Sequence, residues 1–127
     1  MFNHVFLGTN DIDKSRKFYD ATMTKLGFEG HALPHGTVYG SPNGSLIIAK
    51  PLDGMEATVS NGHTLGFKGE NYAAVDAWYE AGLAAGGTDE GGPGFRENSP
   101  GNMYGAYLRD ADGNKVCVFT PNAGPKE

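Results

Sequence analysis

The chain is written twice. The stretch "HVFLGTNDIDKSRKFYDATMTKLG", from His4, lies over "TLGFKGENYAAVDAWYEAGLAAGG", from Thr64, at an offset of 60 residues and without a gap. Phe18-Tyr19 falls on Trp78-Tyr79, Val5 on Leu65, Leu7 on Phe67, Asp11 on Asn71 and Gly27 on Gly87. An internal repeat decides the architecture before any single element does. In the first copy Val5 and Leu7 alternate at strand period. Ile12, Ser15, Tyr19, Met23 and Leu26 then recur at helical spacing up to Gly27, which suits a helix C-terminus. In the second, Asn71 suits an N-cap, Val75, Trp78 or Tyr79, and Leu83 mark one face, and Gly86-Gly87 closes the helix. Both helices are amphipathic and must lie on a sheet.

Short strand-like runs follow each helix. They fall around residues 28–33, 37–40 and 45–50 in the first copy. In the second, the glycine-rich run 86–94 leads into strands at 104–109 and 114–119. Asn43-Gly44 and Asp112-Gly113 are favoured hairpin pairs and match at an offset of 69. The nine extra residues are expected in a longer loop near Pro93 to Asn102. The formula is βαβββ, repeated, within one α+β domain over residues 1–127, with module one at about 1–52 and module two at about 61–121.

Composition narrows the partners. Ten Lys and Arg against fifteen Asp and Glu leave a net charge of −5, which opposes the phosphate attraction that dominates nucleic-acid binding. The longest aliphatic run, Leu46 to Ala49, is far below the roughly 20 residues of a membrane span. One cysteine cannot form an internal disulfide, in keeping with a cytoplasmic protein.

The segments "NHVFLGTNDIDKSRKFY", "NGHTLGF…AVDAWYEAGLAAGGTDEGGPGFR" and "YGAYLRDADGNKVCVF" resemble the vicinal oxygen chelate superfamily, which includes glyoxalase I, extradiol dioxygenases and bleomycin-resistance proteins. The resemblance covers about residues 2–120. It implies tandem βαβββ modules whose curled mixed sheets enclose a cavity with helices outside, and commonly a homodimer. In metal-dependent members it implies ligands on the first and last strands of the modules: a His, a His or Gln, and a Glu, with a further residue on the last strand of module one.

Strand parity tests that set, because side chains alternate faces. With Val5 and Leu7 on the helix side, His4 and Phe6 face the cavity. With Leu65 and Phe67 on the helix side, Thr64 faces in and His63 faces out unless a β-bulge reverses it. Val116 and Val118 turn Lys115, Cys117 and Phe119 inward, and the offset of 69 pairs Cys117 with Ile48. The implied ligand positions therefore read His4, Ile48, Thr64 and Cys117. They contain no carboxylate and too few donors for iron(II) or zinc, so no metal ligand is assigned. A divalent ion would need His63 or a partner subunit to complete its site.

The remaining candidates sort by chemistry. Cys117 reads as cavity wall before nucleophile or metal ligand, since unpaired cysteines are so often buried. His31 and His35 flank Pro34 and read as loop or strand-end residues. "DADGN" begins like a calcium loop but carries Lys115 and Pro121 where that loop needs Gly and Glu, so it is a hairpin. "GGTDEGGPGF" lacks phosphate-loop spacing, and turn permissiveness accounts for it. Arg96 and Arg109 are the anion anchors on offer, with Arg109 better explained by a local ion pair beside Asp110 and Asp112. Tyr107 lines the cavity with Phe6, Leu46 and Ile48.

These readings describe a bleomycin-resistance-like binder of a small, partly apolar organic molecule, with His4, Phe6, Ile48, Thr64, Tyr107, Cys117 and Arg96 as ligand-binding residues, no assigned cofactor and a homodimer. The alternative is a metal-dependent lyase, isomerase or dioxygenase with His4 as a ligand, or a metal-free enzyme with His4 as general base.

Overall fold

The computed structural model describes all 127 residues. Module one runs β1 (His4–Gly8), α1 (Ile12–Thr24), β2 (Gly30–Leu33), β3 (Gly36–Ser41) and β4 (Gly44–Ala49). Module two runs β5 (Leu65–Lys68), α2 (Tyr72–Ala84), β6 (Thr88–Phe95), β7 (Tyr104–Arg109) and β8 (Lys115–Thr120). The expected repeated βαβββ formula is thus met element for element. Each module is one mixed four-stranded sheet, ordered β1-β4-β3-β2 and β5-β8-β7-β6. The first and last strands of each module pair in parallel and the others antiparallel.

The two helices start and stop by the same devices. Asp11 and Asn71, 60 residues apart, are both extended N-caps whose side chains accept from the backbone N–H groups of Lys14 and Ala74. These bonds satisfy orphan donors that every helix start leaves. Gly27 and Gly86 take φ of 90° and 98° just past the helices, a left-handed conformation that most other residues adopt only at a cost. Helix α1 buries Ser15, Phe18, Tyr19, Thr22 and Met23, and α2 buries Val75, Trp78 and Gly82. Leu83, expected on the buried face, is 40% exposed; Gly82 lets Leu108 approach there instead.

One apolar core spans both modules, from Leu7, Phe18, Tyr19 and Ile48 to Trp78, Leu108, Val116 and Val118. Helices α1 and α2 make the main packing contact between modules, and no strand of one sheet pairs with the other. The opposite face of each sheet is therefore left without a helix, and β1 and β5 are free sheet edges.

Two expectations fail here. Val5 pairs with Leu46 and Leu65 with Val116, so the last strands correspond at an offset of 70, not 69. The hairpins differ in length. In module one the turn is Pro42-Asn43, with Gly44 already paired to Ser41, whereas the second connection runs from Asp110 to Asn114. The glycine-rich run is also no loop: residues 88–95 form β6, with register shifts at Asp89/Gly91 and Gly91/Gly94. No helix is long and apolar enough to cross a membrane.

Candidate functional site

The helix-free faces carry the candidate residues. In β1, Val5 and Leu7 pack into the core while His4 is exposed and Phe6 is 49% exposed on the other face, as parity requires. Beside them on that face lie Ile47 and Val38, cross-strand partners of each other. Ile48 is not there. It pairs with Leu7, is 1% exposed and belongs to the core, and Leu46 is likewise a core residue. The one-residue register difference moves both to the helix side, and Ile47 takes the position equivalent to Cys117.

The imidazole of His4 is oriented by its neighbour. Its Nδ1 lies 2.7 Å from Oδ1 of Asn3. A carboxamide oxygen can only accept, so Nδ1 is the donor in this contact and Nε2 is left without a protein partner. That partner lies one residue upstream, where no sequence motif marks it.

In module two, Val116 and Val118 are fully buried against the helices, which leaves Lys115, Cys117 and Phe119 on the other face. Cys117 is 6% exposed, between Gly66 on β5 and Tyr107 on β7. Burial pushes its thiol up from 9.0 to about 11, with Lys115 pulling weakly the other way. The sulfur is therefore a protonated piece of wall at neutral pH, not a nucleophile.

Around it the side chains form an aromatic and cationic floor. Tyr107 and Phe119 meet edge to face at 5.5 Å, and Phe119 lies over Gly105, where an added Cβ would come within 2.5 Å of the ring. The Lys115 Nζ stands 5.1 Å from the Tyr107 ring centre and the Arg96 guanidinium 5.7 Å from it, both within cation–π range. Arg96 is seated by β6: its Nη1 donates to the Gly94 carbonyl and its Nη2 to that of Gly92, at 2.9 and 2.7 Å. A Cβ on Gly91 or Gly94 would crowd that guanidinium at 3.3 or 3.2 Å, which gives the glycine-rich strand a second use.

Arg109 is spoken for. It donates to Glu90 across the β6–β7 pair at 2.9 Å and to the Gly113 carbonyl, so its partner is not the adjacent Asp110 or Asp112. Asp110 is instead the buried centre of the β7–β8 connection. It accepts from Tyr19 Oη at 2.6 Å, from the backbone N–H groups of Asp112 and Asn114, and from the Asn114 side chain. Burial, then the Asp110 charge, holds the Tyr19 hydroxyl well above its ordinary pKa.

Strand β5 begins only at Leu65, so parity does not govern the two residues before it. Thr64 and His63, expected on opposite faces, both line one polar cavity of about 410 Å³ with Asn61, Arg109 and Lys115. A second, apolar cavity of about 180 Å³ opens on the helix side, between Val5, Met23, Phe28, Tyr39 and Leu46 of module one and Leu65 and Phe67 of module two. His4 and Leu46, both expected to line a cavity, line this one, but the residues of α1 and β5 that complete it meet them only where the modules join.

No three His, Cys, Asp or Glu side chains come together as a metal-holding group. His31 and His35 are exposed on β2 and its turn. A single imidazole and a thiol that holds its proton do not fit the two imidazoles and a carboxylate, or the three to four donors, that iron(II) or zinc takes.

The chain matches the family model described as Glyoxalase/Bleomycin resistance protein/Dioxygenase superfamily over residues 1–118. Among curated proteins, none matches. Among solved structures, a glyoxalase/bleomycin resistance protein from Albidiferax ferrireducens is 45% identical, with a TM-score of 0.90 over 96% of this chain and 99% of that one. A glyoxalase-related enzyme from Fulvimarina pelagi (18% identity, TM-score 0.77, 100% and 92% of the two chains) shares the fold. So does a lactoylglutathione lyase from Agrobacterium tumefaciens (22%, 0.65, 94% and 92%). With its repeated βαβββ modules and this match along nearly its whole length, the chain belongs to the glyoxalase/bleomycin resistance protein/dioxygenase superfamily.

Proposed function

We propose that this protein binds a small, partly apolar organic molecule on its helix-free sheet faces, without a resident metal or other cofactor, as a cytoplasmic homodimer. The observation that carries the reading is the composition of those faces: Phe6, Ile47, Tyr107, Phe119 and the protonated Cys117 supply apolar wall, while His4, Lys115 and Arg96 supply a few polar groups, with Thr64 in the polar cavity that Lys115 also lines. Such a mixture is typical of small-molecule sites. Each face is open on its own, and the unpaired β1 and β5 edges beside them suit closure by a second copy. A ligand that prefers the folded state raises its melting temperature, so a thermal-shift screen of organic anions, neutral aromatics and cations tests the proposal. Elemental analysis of protein purified without added metal or chelator tests its other half. A stoichiometric metal required for turnover would reject it.

A second reading is favoured by the Asn3–His4 bond. An imidazole with Nδ1 engaged and Nε2 free is set up as a general base, which makes this an enzyme that moves a proton on the bound molecule. If His4→Gln leaves every detected turnover unchanged, that reading fails and the binder remains.

A further inference from the structure

Two cations share one aromatic ring on the module-two face, and neither has a counter-ion. The only ion pairs in the molecule are Arg109 with Glu90 and Lys126 with Asp76. Lys115 and Arg96 are both part-buried, at 5.1 and 5.7 Å from the centre of the Tyr107 ring, with no carboxylate within ion-pair distance. What sets these two cations apart is that both stand at one aromatic ring on the helix-free face, with charge left over for an anion from outside the chain. Arg96 is also held ready. Two carbonyls of β6 fix its guanidinium, and its remaining N–H donors have no protein partner. Positioning of this kind lowers the ordering cost when a planar anion arrives.

We propose that the ligand of this face is a carboxylate carried on a planar apolar body: Lys115 and Arg96 take the carboxylate, and Tyr107 with Phe119 takes the body. A carboxylate matches the fork of donors on a guanidinium and the point charge of an ammonium. The edge-to-face Tyr107–Phe119 pair offers an aromatic wall for a flat molecule, and the cavity lined by Lys115, Thr64 and His63 gives the charged end a polar mouth. The inference rests on the small-molecule reading above and adds the charge and shape of the molecule.

The experiment compares two isosteres, 2-naphthoate and 2-naphthamide, by calorimetric and NMR titration of the whole protein at pH 7. Naphthoate should bind about tenfold or more tighter than the amide, the scale of a charge-assisted hydrogen bond. Lys115→Met and Arg96→Met should each remove most of that preference by weakening naphthoate far more than naphthamide, since Met retains an apolar stem and only the carboxylate loses a charge-assisted bond. Chemical shifts should move at the backbone amides of Tyr107 and Phe119. Equal affinity for the two probes would overturn the anion assignment and leave the small-molecule reading standing. Binding of neither, with neutral molecules stabilising the protein in the thermal-shift screen, would do the same. Binding of neither, with no stabilising molecule of any charge, would remove both.

Discussion

Cys117 shows how far one side chain can be argued from its surroundings. Its facing was legible because Val116 and Val118 are plainly core residues, and the chain places it opposite them, beneath Tyr107 and Gly66. Its reactivity follows from burial. The thiol keeps its proton to about 11 in the folded chain against 9.0 when free, so its contribution to stability is fully present below pH 9 and is lost as pH rises through 11. Urea unfolding followed by the fluorescence of the sole tryptophan, Trp78, should show stability falling over that interval in the wild type, and falling less steeply in Cys117→Ala. The difference between the two proteins matters, because the raised tyrosine hydroxyls of Tyr19, Tyr39 and Tyr104 push stability the same way at high pH. At pH 7 the native thiol should also react with a disulfide reagent far more slowly than the unfolded one. Labelling at equal rates would show that Cys117 is open to solvent. Ile48 marks where residue-level reading stopped. Its face depends on a hairpin length that no local pattern in the sequence sets, and one residue of register was enough to put Ile47 on the surface in its place.

At the level of elements, most of the repeat was legible because its signals are local. N-caps, helix stops and strand alternation are each decided by residues within a turn or two of one another, and the Asp11/Asn71 correspondence was visible from the offset alone. Asp11→Ala and Asn71→Ala should each cost about 1 kcal/mol, the usual worth of an N-cap, and the double variant about the sum, as the caps share no partner. A double variant no less stable than either single one would show that the bonds are not held in solution. What was not legible are contacts of long sequence separation. Tyr19 on α1 donates to Asp110, 91 residues away, and this bond ties module one to the β7–β8 connection. Tyr19→Phe leaves a buried carboxylate oxygen short of one donor and should destabilise by about 1–3 kcal/mol in urea. The glycines of β6 were misread for a related reason. Glycine in a sequence suggests a turn, but here it clears the space into which Arg96 folds, and that neighbour is identified only by the fold.

The whole molecule leaves its candidate faces unfinished. Both helices and the shared core lie on one side of each sheet, so Ile47, Tyr107 and Phe119 on the other stay part-exposed and Phe6 meets only the loop of residues 51–58 there. Phe6 at 49% exposure and Leu33 at 40% are large apolar groups that water receives poorly, next to strand edges that lack partners. A second copy can cover the faces and edges together, and a stable pair would bury roughly 1,200–2,000 Å² in doing so. The proposed dimer then predicts a specific separation of folding from assembly. Phe6 is outside the core, so Phe6→Lys should change the stability of the isolated chain by no more than about 0.5 kcal/mol. In the interface the same change places an unpaired charge among apolar groups, where removal from water costs several kcal/mol. Sedimentation equilibrium should accordingly find the wild type at twice its 13.4 kDa chain mass and Phe6→Lys at the single-chain mass, with unchanged far-ultraviolet circular dichroism. If the variant assembles as tightly as the wild type, the β1 face is not where copies meet, and closure by a second copy is left to the β5 edge.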